Sequence, residues 1–361
     1  MTALAIRGRG LVCASGRDIP SAVAGLRMLP APRIETLAAG VQRPFLPIAD
    51  EAHSLTDWYA QARDLVRQAV MQAIGEDMPV AAREGALLVA SSSLHVGALE
   101  RGEAFVPYST GFVHKLRDWL DWRGPVHCIS TACTSSIAAL GAARASVSTG
   151  AVSSALVLGV ELGNRLSRAG FVGMQLLSPD RARPFGLHRN GLVLGEAVAA
   201  LHCVPATPGE VDWQIAGVAH IVDGDHPAGA SHQALLRACR EAMQMAGCDA
   251  GSIELVKVQA AGSPGNDALE AAVLQELFPS MPPLVSLKPT LGHCLGASGA
   301  AELALLCAAL DAGVLPVVTD DVDPALGVRL ADALAGPARR VLAIILGFGG
   351  GHAAVVLEHQ P

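Results

Sequence analysis

The chain has 361 residues, of which 51% are hydrophobic, 16% are charged and only 4% are aromatic, and its formal net charge is −7. A chain of this length can bury one large core or two closely packed halves. The abundance of small apolar residues favours a layered α/β protein with covered strands. The acidic balance and the lack of a basic block argue against a nucleic-acid partner.

The eight cysteines are scattered along the chain, with no Cys-x-x-Cys pair and no His/Cys group at zinc spacing. We therefore interpret them as reduced thiols and expect no metal site. The first seven residues lack the apolar core of a signal peptide, and the uncharged run 145–160 is too short and too polar to span a membrane. We expect a cytoplasmic protein with no membrane partner.

Apolar runs and helical periodicity divide the chain into two similar series of elements. In the first half they predict strands at 4–13, 85–90, 125–130, 154–160 and 192–202, and helices at 56–74 and 133–149. The proline-rich segment 14–55 is predicted to form surface loops with short helices.

In the second half the same signals predict strands at 211–222, 255–260, 284–287, 341–346 and 353–357, with helices at 231–246, 266–277 and 296–310. A strand, a loop with a cysteine and a small-residue helix in the first half correspond to a strand, a loop with a histidine and a small-residue helix in the second. This weak duplication predicts two βα-rich halves, residues 1–204 and 205–361, that face each other.

The most informative stretch is 128–136, in which an apolar run ends in small hydroxyl residues around Cys133. If this is a strand, a tight turn and a helix, Cys133 lies at a helix N-terminus, where free N–H groups and the macrodipole favour a thiolate. Such a turn can also hold N–H donors for an oxyanion. A lone cysteine is more often a small apolar residue, so the rest of the chain must decide.

Three stretches of the second half have the composition of active-site loops. Residues 256–267 leave a strand through Gly and Pro and lead to an Asn or Asp helix cap. Residues 286–302 place Lys288 and His293 on one loop, and 347–352 form a glycine turn that ends at His352. Taken singly, each stretch is more simply a capped turn, a core histidine or a hairpin.

Together these stretches resemble the β-ketoacyl-acyl-carrier-protein synthases, the condensing enzymes of the thiolase fold. The matches run in order along nearly the whole chain: the family's Thr-Ala-Cys motif at 131–133, its Arg-Pro-Phe…Arg-x-Gly…Gly-Glu stretch at 183–196, its Lys…Gly-His loop at Lys288 and His293, its lysine-paired glutamate at Glu302 and its Gly-Phe-Gly-Gly loop at 347–350. The resemblance implies an α/β, thiolase-like fold with duplicated βα halves in five layers (αβαβα).

The resemblance also implies a mechanism. Cys133 would take an acyl group from the phosphopantetheine arm of an acyl carrier protein, so the chain would need no cofactor of its own. Backbone N–H groups of Cys133 and Phe348 would hold the oxyanion. A malonyl carrier substrate would then lose CO₂, and His293 would stabilise the enolate that attacks the acyl group. Lys288, tied to Glu302, would keep this region ordered and electropositive, and Phe348 would gate the malonyl side.

The sequence departs from the family at several positions. The first catalytic histidine of the family's His-Gly-Thr-Gly-Thr motif is Gln259 here. An amide can donate a hydrogen bond but cannot carry a proton, so we expect decarboxylation to be slower by about 10²–10⁴-fold. Gly351 and His352 replace the usual Thr-Asn, and a role for His352 at the start of a strand is favoured over one in the site. The segment 93–125 is short for the family, so the sequence does not decide whether the chain forms the family's dimer interface.

Two hypotheses follow. The favoured one is a β-ketoacyl synthase-type acyltransferase of fatty acid or polyketide biosynthesis with an unusual Cys–Gln–His site. The alternative is a degenerate chain-length-factor-type subunit in a heterodimeric type II ketosynthase, which Gln259 favours and the retained Cys133 disfavours. Either protein would act as a homodimer or a heterodimer with another ketosynthase. Thiolase-like chemistry on coenzyme A fits less well, because the Lys288 loop points to the carrier-protein branch.

Overall fold

The computed structural model of the chain describes residues 3–37, 40–48, 57–103, 109–207, 209, 213–223, 229–318 and 320–359. Within these described residues, the first half forms seven helices and eight strands. In chain order they are β1 (Leu4–Cys13), α1 (Ile19–Gly25), β2 (Arg33–Thr36), β3 (Gln42–Leu46), α2 (Trp58–Ile74), α3 (Val80–Arg83), β4 (Ala86–Ala90), α4 (Val96–Glu100), α5 (Ser109–Trp119), β5 (Val126–Ile129), α6 (Ser135–Ser148), β6 (Ala155–Glu161), α7 (Arg165–Gly173), β7 (Leu194–Gly195) and β8 (Ala197–Pro205).

The second half continues with four helices and five strands, interrupted by short 3₁₀ turns at Ala250–Ser252, Leu295–Ala297 and Pro324–Leu326. They are β9 (Trp213–Val222), α8 (His232–Ala246), β10 (Leu255–Lys257), α9 (Pro264–Leu277), β11 (Leu284–Val285), α10 (Lys288–Leu291), α11 (Ser298–Asp311), β12 (Arg340–Gly347) and β13 (Gly351–His359).

Ten strands form one continuous sheet in the order β11-β10-β12-β13-β9-β1-β8-β6-β4-β5, and β2, β3 and β7 form a small second sheet. The two five-stranded parts of the large sheet join where three residues of β1, 4–6, pair with three residues of β9, 213–215. All strands of the first part belong to residues 4–205, and all strands of the second part belong to residues 213–359.

Three apolar clusters define the layers. One lies between the two parts of the sheet and contains α6, α11 and inward-facing side chains of strands from both halves. A second packs α2 and α5 against the outer face of β4, β6 and β8, and a third packs α8 and α9 against β10, β12 and β13. The order helix, strand, helix, strand, helix is the five-layered α/β fold that the sequence predicts.

The two central helices are built from small apolar residues because a sheet covers them on both sides. All residues of α11 from Ser298 to Ala309 are buried. Its approach to β6 is close enough that a Cβ on Gly159 would lie 3.0 Å from the Cα of Ala297. This packing fixes the loop before α11 against the first half of the chain.

Several predicted elements differ from the observed ones. The segment 14–55, predicted as loops with short helices, contains α1 but also strands β2 and β3. β2 pairs with β3, and β3 pairs with β7. Residues 38, 39 and 49–55 of this segment lie outside the described residues. The strand predicted at 192–202 is interrupted at Glu196, and the strand predicted at 255–260 ends at Lys257. Residues 56, 211 and 212 of two predicted elements lie outside the described residues. A division at 204/205 stays a prediction.

Among the described residues, no helix combines the length and the apolar character that crossing a membrane requires.

Candidate active site

Cys133 lies in the turn between β5 and α6, as the sequence predicts, and it is only 2% exposed. The preceding residue, Ala132, has a φ of +52°, a conformation that costs a non-glycine residue energy. The turn is held by Ser135, whose hydroxyl accepts the N–H of Thr131 at 2.9 Å and donates to the carbonyl of Ala132 at 2.6 Å. The turn is strained at Ala132 but is held by these two hydrogen bonds. It places the thiol at one end of the layer that α6 and α11 form.

His293 reaches this thiol from the second half of the chain. Its Nε2 lies 3.0 Å from Sγ of Cys133, and its Nδ1 lies 3.0 Å from Nζ of Lys288. An ammonium group only donates, so Nδ1 accepts and the ring proton sits on Nε2. His293 is therefore placed to donate to the sulfur or to a carbonyl oxygen beside it.

Lys288 belongs to a buried ionic cluster. Its ammonium contacts one carboxylate oxygen of Glu302, and the ammonium of Lys257 contacts the other. Burial alone would raise the pKa of the Glu302 carboxyl, but Lys257 and Lys288 outweigh burial and hold that pKa below its usual value. Burial, together with Lys288 and Lys257, holds the pKa of His293 well below 6.5, which keeps its imidazole neutral.

The pKa of the Cys133 thiol does not follow the expectation from the helix N-terminus. Burial raises it to about 11, against the opposing effects of the Phe348 N–H and the Lys288 ammonium. The free protein therefore holds a thiol at neutral pH, because desolvation outweighs the donors around the sulfur. Formation of a thiolate then depends on those donors.

The loop between β12 and β13 brings a second N–H donor to the sulfur. The backbone N–H of Phe348 and that of Cys133 itself both act on the Cys133 thiol, which is the pair of donors that an oxyanion hole needs. A Cβ on Gly347 would lie 3.1 Å from Cγ2 and 3.2 Å from the backbone nitrogen of Thr134, so a glycine eases this approach of the loop to the Cys133 turn. The Phe348 ring packs edge-on against Phe171, with 5.2 Å between centroids, at the entrance to the site.

Gln259 lines the same pocket as Cys133, His293 and Phe348, which encloses about 470 Å³ with its open mouth included. Gln259 is 8% exposed, and its Oε1 is buried without a hydrogen-bond partner among the described residues. The structure thus brings Gln259 to the site, in the position that the resemblance gives to an imidazole.

Two buried carboxylates hold the loop that follows Gln259. Glu270 accepts the N–H groups of Gln259 and Ala260, each at 2.7 Å, and Asp267 accepts those of residues 261–263 at 3.0–3.2 Å. Burial raises the pKa of Asp267 to about 6 and that of Glu270 to about 8. The prediction of an Asn or Asp cap is wrong, because α9 begins at Pro264 with Ser263 at the N-cap position and Asp267 lies in its first turn. The two carboxyl groups instead hold the backbone of the loop and so position Gln259.

The Arg-Pro-Phe motif supports the same loop. Phe185 is fully buried with a φ of +55°, and its N–H donates to Asp267 at 2.9 Å. Gly191 donates its N–H to the carbonyl of Gly262 at 2.9 Å. These contacts place the motif against the loop that follows Gln259.

His352 lies at the start of β13 and is not among the residues that line the pocket, although it pairs with the lining residue Leu346. Its Nδ1 lies 2.8 Å from the carbonyl of Gly350, and its Nε2 accepts the N–H of Ser231 at 2.7 Å. Both ring nitrogens are occupied by backbone groups, so the ring joins the glycine loop to the start of α8. This is the strand-start role that the sequence analysis favoured.

Besides Glu270, described above, the sequence motifs do not indicate two further buried charged residues near the site. Glu161, at the end of β6, accepts the N–H groups of Ser92, Ser93 and Gly296 at 2.9–3.0 Å, so it ties β4 to the segment before α11. The other is Lys257, which is fully buried at the end of β10. The signal for Lys257 was a single charge inside an apolar run.

Known proteins of similar sequence and structure support the fold and the family. The family descriptions "Beta-ketoacyl synthase, N-terminal domain" and "Beta-ketoacyl synthase, C-terminal domain" match residues 110–203 and 214–320, which together make up more than half of the chain. Two Streptomyces proteins named provisionally as polyketide β-ketoacyl synthases, from S. halstedii and S. cyaneus, are each 30% identical over 65% of this chain. The chain spans 61% of the length of each.

Solved structures match over almost the whole chain. A chain in the complex of a ketosynthase with its chain length factor from Xenorhabdus doucetiae has a TM-score of 0.85 and 22% identity, and covers 99% of this chain and 98% of its own. A β-ketoacyl synthase from Burkholderia phymatum STM815 has a TM-score of 0.82 and 24% identity, with 100% of each chain covered. These matches identify the thiolase-like fold, and with the two domain matches they lead to one conclusion: the chain belongs to the β-ketoacyl synthase family.

Proposed function

We propose that this chain is a β-ketoacyl synthase-type acyltransferase that loads an acyl group onto Cys133 and condenses it with a malonyl unit in polyketide or fatty acid biosynthesis. The observation that carries this proposal is the 3.0 Å contact between Sγ of Cys133 and Nε2 of His293, with the Phe348 N–H beside the same sulfur. A cysteine kept only for packing needs neither donor.

The first step is a thioester exchange. The sulfur of Cys133 attacks the thioester carbonyl of an acyl group on the phosphopantetheine arm of a carrier protein. A bond from Sγ to the carbonyl carbon forms, the bond to the pantetheine sulfur breaks, and the thiol proton passes to that leaving sulfur. The N–H groups of Cys133 and Phe348 stabilise the oxyanion in between. The chain contributes no cofactor of its own to this step.

The second step is decarboxylative. A malonyl thioester loses CO₂, its enolate carbon attacks the acyl carbonyl on Cys133, and the cysteine sulfur leaves. The Nε2–H of His293 donates to the enolate oxygen. Gln259 offers a second hydrogen bond from its amide but no proton transfer, so this step is the one that the substitution slows.

Intact-protein mass spectrometry with acyl- and malonyl-loaded carrier proteins tests the proposal. Wild-type protein is expected to gain one acyl group and to release a ketoacyl carrier product, whereas Cys133→Ala gains none. Cys128→Ala is the matched control, since this cysteine is less buried than Cys133 and only five residues away, and its removal should leave the adduct in place. Absence of an adduct on the wild type with every loaded carrier would contradict the proposal.

A second candidate is a chain-length-factor-type subunit that pairs with an active ketosynthase and shapes its acyl tunnel. Gln259 is the observation that favours it, together with similar structures described as complexes of a ketosynthase with a chain length factor. Coexpression with a synthase that has a complete Cys–His–His set distinguishes the two. A stable heterodimer whose product length changes with this chain, and whose activity survives Cys133→Ala, would favour the subunit.

A further inference from the structure

Two of the three lysines in the chain converge on one carboxylate. Lys257 and Lys288 each contact a different oxygen of Glu302, and all three residues are at most 1% exposed. The resemblance leads us to expect only one lysine paired with this glutamate. Lys257 is therefore an additional buried cation. Burying a charge is costly unless it is paired and hydrogen-bonded, and Lys257 shares its carboxylate partner with Lys288.

The position of Lys257 connects it to the nucleophile. Side chains alternate along a strand, and Leu255 belongs to the central cluster while Val256 and Val258 belong to the outer one. Lys257 and Gln259 accordingly share the face that looks toward α11 and the site. The Lys257 ammonium also donates to the carbonyl of Ile344 in β12 at 2.7 Å, which fixes its direction.

We propose that Lys257 is a positioning residue for the reaction proposed above: it occupies one oxygen of Glu302, so that the Lys288 ammonium stays directed at His293 and the cluster keeps a net positive charge near Cys133. With one lysine, Glu302 and Lys288 form a neutral pair. With two protonated lysines, the cluster carries one excess positive charge, which a thiolate or an enolate oxygen offsets.

Several charged and titratable groups lie around the sulfur of Cys133 and the ammonium of Lys257. Lys288 and the carboxylate of Glu161 act on Cys133 from α10 and β6, in addition to the hydrogen bond from His293. Burial and the Lys288 ammonium lower the pKa of Lys257, and Glu302 and Glu270, from α11 and α9, oppose this shift. Removal of Lys257 therefore leaves Glu302 to neutralise Lys288, and a negative charge on Cys133 becomes harder to form.

The test is the alkylation rate of Cys133 by iodoacetamide between pH 7 and 9.5, which requires no carrier protein. Fragment spectra of the tryptic peptide 124–144 separate Cys133 from Cys128. In Lys257→Met the rate at Cys133 is expected to fall about three- to tenfold at each pH, which corresponds to a pKa raised by about half a unit to one unit. Lys115→Met, at a surface lysine that lies over the Tyr59 ring, is the matched control and should leave the rate unchanged.

Thermal unfolding separates positioning from a purely structural role. Lys257→Met leaves a one-to-one pair of Lys288 and Glu302, so its melting temperature is expected to equal or exceed that of the wild type. Lys257→Gln, which keeps a donor for Ile344 but no charge, should reproduce the slower alkylation. An unchanged alkylation rate in either folded variant would overturn the inference. The inference would also be overturned if alkylation of Cys133 slowed in Lys257→Met but not in Lys257→Gln and the melting temperature of Lys257→Met fell as well.

The alkylation experiment can support or contradict the role of Lys257 whether or not the proposed function is correct. If the wild type gains no acyl group but both Lys257 variants slow alkylation, the proposed reaction fails and the role of Lys257 stands. If acylation occurs and alkylation does not respond to Lys257, the reaction stands and this role fails.

Discussion

Nζ of Lys288 lies 3.0 Å from Nδ1 of His293, and this contact decides which end of the imidazole carries the proton. Because the ammonium must donate, the proton lies on Nε2, which faces the sulfur of Cys133 at 3.0 Å. A histidine in this state, with a pKa well below 6.5, is a donor and not a base for the thiol. The imidazole thus presents an N–H donor beside the sulfur of Cys133.

The first prediction concerns Gln259→His, which restores the imidazole that the resemblance expects. The side chain already lines the pocket with Cys133 and His293, and Glu270 holds its backbone. We expect malonyl decarboxylation to rise by about 10²-fold or more, because an imidazole adds a proton-transferring group. Release of CO₂ from a malonyl carrier substrate measures it.

Gln259→Asn is the control for the first prediction, because it retains an amide and should give no increase. If Gln259→His folds and binds carrier protein but decarboxylates no faster than the wild type, a missing imidazole is not what limits the reaction.

The second prediction concerns the pH dependence of the free thiol. With a pKa of about 11, the thiolate fraction of Cys133 increases about tenfold for each pH unit between 7 and 9. Alkylation of the wild type should follow this slope without a plateau in that range. Residue-resolved mass spectrometry measures the rate, and Cys133→Ser provides the background. A plateau below pH 8 would show that the thiolate is already formed in the resting enzyme.

The strands and the central helices were readable from the sequence because their signals are local. β1 begins and ends at the predicted residues, and α6 lies within the predicted range. The strand predicted at 255–260 ends early because the N–H groups of Gln259 and Ala260 donate to the side chain of Glu270 and not to a neighbouring strand. The N–H of Val258 still donates to Val285 of β11.

The candidate site was readable only in part. The motifs indicated Cys133, His293 and Lys288, and the structure places all three in one chain of contacts. The role of Lys257 could not be read, because its partners Glu302 and Ile344 are 45 and 87 residues away in sequence. The raised pKa of Cys133 could not be predicted from the sequence either, because the burial of the thiol depends on how the two halves of the chain pack around it.

The third prediction compares two neighbouring glycines of the β12–β13 loop. Gly349 and Gly350 have φ values of +75° and +74°. Among the described residues, a Cβ on Gly349 would meet no atom within 4 Å, whereas one on Gly350 would lie 1.6 Å from the carbonyl oxygen of Asp223. Gly349→Ala should cost about 1–2 kcal/mol of unfolding free energy from its conformation alone. Gly350→Ala should cost at least about 3 kcal/mol, because the backbone must move as well.

Urea unfolding gives the two free energies of this comparison, and alkylation of Cys133 reports on the loop. Gly350→Ala should also change the alkylation rate, since displacement of the loop moves the Phe348 N–H away from the sulfur. Equal costs for the two variants would contradict the close contact with Asp223.

The fourth prediction concerns His352 and acid stability. Burial lowers the pKa of His352 below 6.5, against the opposing effects of the Gly350 carbonyl and Asp223, and His220 lies near it on β9. The neutral ring is therefore the folded form, and its stabilisation is present above pH 6.5 and is lost as the pH falls toward the lowered pKa. His352→Asn keeps an amide near the Gly350 carbonyl but loses the acceptor for Ser231.

This variant should cost about 1–2 kcal/mol at pH 7.5, and the difference from the wild type should shrink at pH 5, where the wild-type histidine is driven to protonate. Urea unfolding at the two pH values measures both quantities. A difference that stays constant with pH would mean that His352 does not titrate on unfolding. One that grows in acid would mean that the folded protein favours the charged ring, contrary to two ring nitrogens engaged by a carbonyl and an N–H.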